Sequence, residues 1–579
     1  MGFQIKEGCV GCHYCALECP VEAITFHGRG YQIEEAVCIS CGKCRQVCHL
    51  SLPYDTAEQE KTEPSHPTER IDAEVVIIGA GGVGLGAAAR ASFLGRKTVL
   101  LEAGEHFGGG TYLAHGASFP GSKVVYPRLG LSSDVEPQVA FWNMLGKGRI
   151  KNQIRLRENV VANGAFLDWF DSLQEKNCSV FTKAEEGFPF PFDLKDRYLN
   201  QKSTDNSIGP GWTGSWICER LFEACMEQGV QYRKETRATG FLVDEGGNLQ
   251  GVEAKDAGGN LQIYAKAIVL ATGSYLMDDA LIKDIDPDFL TEEKKLFRIT
   301  VPTNRGDGWR MVKKIGGKTQ VDFMRTRGPS HHPYSYGINL MMGEPENVFF
   351  GNDGERLFDL KPGPPPMPGQ KETEDANTPG QKILHAKRGI CYSILDQALL
   401  DILVERLEAR ADPAHDLFLK TLREEIQEEC ALEQWFSAKA DTIFQLATKI
   451  GMDPQVLQES VEAYNRMCRQ GEDSEFGKNP EHMHPIAKAP FYAFVGQNFE
   501  NGASLGGVLT DGGFHVEKEE GGCFWNLYCA GDCATYDPAE DLGVVGLCGG
   551  LGGSFASGYQ IANYIEQEHF GGRSNGKTM

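Results

Sequence analysis

Four short apolar runs punctuate the chain: Val75-Val76-Ile77-Ile78, Thr98-Val99-Leu100-Leu101, Ala267-Ile268-Val269-Leu270 and Leu527-Tyr528-Cys529. Their length and β-branched content predict strands, and each closes on a small, glycine or acidic residue that ends the run. Between the first two lies LGAAARASFLG, a small-residue stretch that predicts a helix packed closely on its strands. Residues 55–72 (DTAEQEKTEPSHPTERID) are polar and twice interrupted by proline, as an exposed linker would be. Lys361 to Gln381, with its repeated prolines, predicts a surface loop rather than a helix or central strand.

The first strand runs into Gly79-Ala80-Gly81-Gly82-Val83-Gly84, and the second ends at Glu102. Strand, glycine turn, helix, strand and acid in this order predict a dinucleotide site. Gly79 makes the tight turn, and Gly81 lets backbone approach a pyrophosphate. Gly84 brings helix and strand together, and the helix N-terminus favours the phosphate charge. Glu102 is placed to accept from a ribose hydroxyl, with Gly82 and Ala103 beside these groups. Two later turns, Ala271-Thr272-Gly273 and Ala530-Gly531-Asp532, repeat the pattern of a strand closing on glycine. They point to FAD rather than NAD, with Asp532 facing the ribityl chain; ordinary strand-to-loop glycines are the alternative for either turn alone.

A length of 579 residues suggests three or four units at roughly 150 residues per domain. The 69 glycines occur without low complexity or a short repeat, which fits backbone packed against cofactors. With 57 basic and 80 acidic residues, the net charge of −23 argues against nucleic acid or an anionic membrane as partner. No run of about 18 apolar residues occurs, and the N-terminal residues lead into cysteines without a leader-like apolar stretch, so a cytoplasmic location is expected.

Eight of the eighteen cysteines fall in the first 48 residues, as Cys9-x-x-Cys12-x-x-Cys15-x-x-x-Cys19 and Cys38-x-x-Cys41-x-x-Cys44-x-x-x-Cys48. Three closely spaced thiolates cap three irons of a cube, and the fourth ligates the other cluster. Cys9, Cys12, Cys15 and Cys48 are therefore assigned to one [4Fe–4S] cluster and Cys38, Cys41, Cys44 and Cys19 to a second. Zinc or disulfides are the alternative, although zinc does not call for the third and fourth cysteines at this repeated offset. The segment resembles bacterial two-cluster ferredoxins, with Pro20 after the first run and His49 in place of proline after the second.

From Val75 to about Ile565 the chain resembles the fumarate reductase and succinate dehydrogenase flavoprotein superfamily. The resemblance is carried by Gly108-Gly109-Gly110-Thr111, Gly306-Asp307-Gly308, Asp441-Thr442, Pro490-Phe491-Tyr492-Ala493, Ala503-Ser504-Leu505-Gly506-Gly507 and Gly550-Leu551-Gly552-Gly553-Ser554. It implies an α+β ferredoxin-like domain (1–54), a linker (55–72), and an α/β Rossmann-type FAD-binding domain split between 73–275 and 495–579. An α+β capping domain (276–494) would be inserted between the halves. It also extends the FAD-contacting set to Gly109, Gly110, Thr111, Ala238, Asp307, Gly552, Gly553 and Ser554.

Departures from the family pattern bear on substrate. Covalent members carry a histidine before the threonine; here that position is Gly110, which implies noncovalent FAD. Dicarboxylate reducers hold a substrate carboxylate with a histidine and an arginine whose places are taken by Ala503 and Gly550. Two anchors of roughly 1.5–3 kcal/mol each are thus missing. The family's proton-donating arginine is also absent, since Arg356-Leu357-Phe358 is followed by Asp359-Leu360-Lys361-Pro362. His332-Pro333 matches the superfamily's histidine–proline element beside the substrate. His332, Tyr334, Tyr336 and Arg356 are accordingly the candidates for catalysis, with packing, or for Arg356 a structural ion pair, as the alternative.

The expected activity is reduction of an activated C=C bond in a bulky, non-dicarboxylate substrate. Single electrons would come from a ferredoxin or flavodoxin through the two clusters to FAD. A dehydrogenase running in reverse, and an electron-transfer or bifurcating flavin subunit without its own organic substrate, are the alternatives. Residues 276–494 count against the latter, because a relay has no need of a domain that closes over substrate.

Overall fold

The computed structural model describes residues 3–6, 14–26, 31–48, 52–56, 68–113, 119, 121–128, 130, 132–137, 139–140, 153–173, 181–182, 200–201, 213–285, 297–298, 300–323, 327–331, 336–360, 379, 382–383, 386–409, 422–431, 437–500, 505–535 and 551–571.

The four apolar runs become neighbours in one six-stranded sheet. Its order is Gln231–Arg233, Thr98–Leu101, Val75–Ile78, Ala267–Leu270, Cys523–Cys529, His515–Glu517, parallel except for the last strand. Val75–Ile78, Thr98–Leu101 and Ala267–Leu270 are buried at every position, as parallel strands covered on both faces require. On one face lie the helices Gly82–Phe93 and Leu551–Phe570, joined by an Arg90 Nε–Asn563 Oδ1 hydrogen bond of 2.9 Å. Phe166 of the helix Gln153–Ser172 stacks on Phe555 of the latter at 5.7 Å.

A four-stranded sheet (Arg237–Val243, Leu249–Asp256, Gly259–Tyr264, Glu69–Asp72) covers the other face. Glu69–Asp72 corrects the linker expectation at its C-terminal end: it is a strand parallel to Gly259–Tyr264. Its Glu-Arg-Ile-Asp composition reads as linker because only one side chain, Ile71, is buried. At the other end Asp55 closes the strand Pro53–Asp55, which pairs antiparallel with Phe3–Ile5. Residues 57–67, between the two, lie outside the described residues.

A separate seven-stranded sheet is built on the long strand Phe491–Glu500, which pairs with Ile390–Asp396, Arg327–Ser330, Ser437–Ala440 and Phe297–Arg298. Thr442 caps the helix Ile443–Ile450 by accepting from Gln445 N. Most of the proline-rich stretch, 361–378 and 380–381, lies outside the described residues. Among the described residues no helix is long and apolar enough to cross a membrane.

Candidate flavin and cluster site

The glycine turn sits at the carboxyl end of Val75–Ile78, hemmed in from behind. Gly79 has φ +102°, and a Cβ there would lie 2.3 Å from the Ala271 carbonyl oxygen; a Cβ on Gly84 would lie 1.8 Å from the Gly79 carbonyl oxygen. At both positions only glycine fits. Gly81 differs: a Cβ built there meets nothing nearer than Gly108 O at 3.9 Å, and Gly110 is exposed, with Thr300 Oγ1 at 4.0 Å from its Cβ position. The turn is therefore sealed on its protein side and open on the side where a pyrophosphate would approach, which fits FAD.

Glu102 is buried, and its two oxygens accept from Ala80 N (3.0 Å) and Gly104 N (2.7 Å). Burial raises its carboxyl above the usual range, and those N–H groups oppose the rise. Gly82 N donates to Thr111 Oγ1 at 3.1 Å, and Gly108 N donates to Ala80 O at 2.7 Å, so the segment through Gly109 and Gly110 is laid against the turn. Ser554 comes from the far end of the sequence, with its Cβ 3.1 Å from the Cβ position of Gly82; Gly552 and Gly553 open the same helix. Ala103 is half-buried in the loop after Glu102.

The other strand-end turns meet the same edge. Thr272 Oγ1 donates to Cys533 Sγ at 3.1 Å, so the Ala271-Thr272-Gly273 turn is joined to the one containing Gly531 and Asp532. Asp307 opens the helix Asp307–Lys314 and pairs with Arg237, next to buried Ala238. Burial pushes the Asp307 carboxyl up, and Arg237 pulls it back. Sequence reasoning missed Arg237 and Cys533; neither belongs to a spaced motif, and only the pairing of distant strands brings them here.

In the N-terminal unit Cys19, Cys38 and Cys41 lie close enough to Cys44 to act on its thiol. Burial raises the Cys44 thiol to about 11, and Cys38, Cys41 and Cys19 push it the same way. They are not drawn in to single-ion spacing: among the described residues no three His, Cys, Asp or Glu side chains are so gathered. The two fourth cysteines are held alike. Cys19 Sγ accepts from Ala23 N at 3.3 Å and Cys48 Sγ from Leu52 N at 3.5 Å, while Cys38 Sγ accepts from Ser40 N at 3.4 Å. Such N–H donors stabilise negative charge on cluster sulfurs, and this donor set fits iron–sulfur ligation. Cys15 is buried beside Cys44 and Phe3 in the unit's small core, and Cys9 and Cys12 lie outside the described residues.

Of the four catalytic candidates, His332 and Tyr334 lie outside the described residues, and Tyr336 begins the helix Tyr336–Met342. The residue before His332 is firmly held. His331 Nδ1 donates to Val495 O (3.1 Å), its N donates to Asn339 Oδ1 (2.7 Å), its O accepts from Gln497 Nε2 (2.9 Å), and its Nε2 lies 3.5 Å from Glu429 Oε2. Arg356 is committed elsewhere. Its guanidinium makes a two-pronged pair with Asp473 (3.0 and 2.8 Å), a contact with Glu475 (2.9 Å), and ring contacts with Tyr464 and Phe476. This is the ion-pair alternative, with Arg356 and Asp473 side chains 2% and 0% exposed. Ala503 and Gly550 lie outside the described residues.

Residues 74–547 match the FAD binding domain family, and residues 8–51 match the 4Fe-4S dicluster domain. The chain is 22% identical over 513 residues to a vinyl phenol reductase of Lactiplantibacillus plantarum, covering 85% of this chain and 96% of that one. It is 24% identical over 490 residues to a urocanate reductase of Eggerthella lenta, covering 83% and 73%. Among solved structures, the open conformation of a flavocytochrome c3 fumarate reductase superposes with a TM-score of 0.64 at 19% identity, covering 86% of this chain and 78% of that one.

Proposed function

Because the chain belongs to the FAD binding domain family and carries an N-terminal 4Fe-4S dicluster domain, we propose that this FAD-dependent oxidoreductase reduces an activated C=C bond of a bulky, non-dicarboxylate substrate. The observation that carries the proposal is the pairing, on one chain, of a turn sealed behind Gly79 and Gly84 but open at Gly81 with a cysteine array whose Cys19, Cys38 and Cys48 sulfurs accept backbone N–H groups. FAD held there would accept electrons singly and deliver them as a hydride. Two [4Fe–4S] clusters would supply them from a ferredoxin or flavodoxin. Residues 276–494 would close over the substrate, and the held segment at His331 would present His332 or a neighbouring tyrosine as proton donor. Arg356 then serves the stability of this cap rather than the reaction. The named C=C reductases among its relatives support the reaction class.

Noncovalent FAD follows from Gly110, which has no side chain to form a bond. Acid precipitation should release all flavin as free FAD; yellow colour retained by the precipitate would show the assignment around Thr111 to be wrong.

Substrate class is tested on anaerobic, photoreduced enzyme. Loss of two anchors of about 1.5–3 kcal/mol each weakens dicarboxylate binding by roughly two to four powers of ten. Fumarate at millimolar concentration should therefore neither reoxidise the flavin quickly nor change its spectrum, whereas a vinyl arene or a bulky enone should do both. His332→Ala should slow that reoxidation about 10²-fold or more without slowing flavin reduction. Rapid fumarate turnover would overturn the pocket assignment, and an unchanged rate in the variant would remove His332 as the acid.

A further inference from the structure

The cysteine-bearing unit touches the flavoprotein body through Arg45, which lies between Cys44 and Cys48 in the helix Lys43–Val47. Its Nε donates to Glu105 Oε2 at 3.3 Å, and its carbonyl accepts from His106 Nε2 at 3.2 Å. Glu105 and His106 belong to the loop that leaves Glu102. That loop is tied back by Gly104 N to Glu102 (2.7 Å), and beyond His106 it joins the glycine turn by Gly108 N to Ala80 O (2.7 Å) and a bridge between Gly81 and Gly108. One short loop thus contacts the immediate neighbour of Cys44 on one side and the dinucleotide turn on the other. Arg45 belongs to the second cysteine run.

We propose that Arg45, Glu105 and His106 form a docking contact that makes the Cys38-Cys41-Cys44 run, with Cys19, the inner redox site, the one that passes electrons to the flavin. The inference rests on the cofactor content proposed above and adds the order of electron flow. When the clusters are loaded, an external one-electron reductant of the ferredoxin type would be oxidised once at each encounter with the cysteine-bearing unit. Two such encounters would pass two electrons toward the flavin, which with two protons from solvent would be reduced by two electrons. The Arg45–Glu105 pair is partly exposed, with side chains 31% and 19% accessible, and pairs of this kind add little to folding stability. Their variants therefore report on docking rather than on unfolding.

The test uses anaerobic holoprotein, the Glu105→Arg variant and the charge-swapped Arg45→Glu/Glu105→Arg variant. Iron, sulfide and FAD are counted, and hydrogen exchange is followed over residues 104–108. Cluster and flavin bleaching are followed after rapid mixing with a dithionite-reduced two-[4Fe–4S] ferredoxin, with no organic acceptor present. Glu105→Arg should keep its cofactors, lose exchange protection over 104–108, and reduce its clusters at the wild-type rate but its flavin at least about tenfold more slowly; the swap should recover protection and rate together. Unchanged protection and flavin reduction in Glu105→Arg would overturn the proposal, as would losses that the swap does not recover. Because no enone is supplied, failure of the proposed substrate class leaves these measurements untouched. A wild-type preparation lacking iron, sulfide or FAD would overturn the cofactor assignment and this inference with it.

Discussion

Gly84→Ala protein is expected to leave purification with less than about a tenth of one FAD per chain while keeping its iron and sulfide. The added methyl would sit 1.8 Å from the Gly79 carbonyl oxygen and 2.9 Å from its carbon, closer than real atoms approach. Relief requires the helix Gly82–Phe93 to move off the end of Val75–Ile78, which takes its N-terminus away from the phosphates. The iron–sulfur unit has its own small core of Phe3, Cys15, Ile24 and Cys44, so its content should not follow the flavin. Gly81→Ala separates strain from ligand contact. Its methyl meets protein only at 3.9 Å, so the thermal stability of flavin-free protein should match wild type, while FAD affinity falls about tenfold or more because the methyl occupies the open side of the turn. Flavin content and FAD titration check both, and a Gly84→Ala protein with full FAD would refute the close-packed turn.

Replacing Arg356 by Met is expected to cost about 3–5 kcal/mol, because it leaves the Asp473 carboxylate buried without its partner. In a unit of roughly 200 residues this lowers the unfolding midpoint by roughly 6–20 °C. Arg356→Lys should fall between the two, since an ammonium cannot reproduce the two-pronged contact. The pH dependence has a definite sign. Although burial alone would raise it, the Asp473 carboxyl is held down to about 2 by Arg356 and by the backbone N–H groups of Phe476 and Glu475. A depressed carboxyl contributes fully above its unfolded value, near 3.8, and loses that contribution as pH falls through about 2. The stability gap between wild type and Arg356→Met should therefore be widest near neutrality and shrink as pH drops from 4 towards 2. Denaturation scans across that range check it. An unchanged midpoint combined with a large loss of substrate turnover would return Arg356 to the substrate site.

Legibility followed the range over which each feature is specified. The strands at 75–78, 98–101 and 267–270 were plain because three or four consecutive apolar residues between turn formers have few other conformations that bury them. Glu69–Asp72 was not, because a strand that buries one side chain in four is held by its neighbour's backbone rather than by its own composition. Arg356 could be placed in the sequence but not given a role: its partners Asp473 and Glu475 lie more than a hundred residues away, and no local spacing forecasts a pair between the start of the strand Arg356–Phe358 and a distant loop.

By itself the amino-acid sequence determined that this chain carries a dinucleotide turn and a doubled cysteine array, because both chemistries demand particular residues at short, regular intervals. Tertiary structure alone decided which distant groups close around them. It brought Ala271 against Gly79, Thr272 to Cys533, Ser554 to Gly82, Arg237 to Asp307, and Arg45 to the loop behind Glu102. These contacts span tens to hundreds of residues, and they follow from the order in which strands pair and sheets pack rather than from any local pattern.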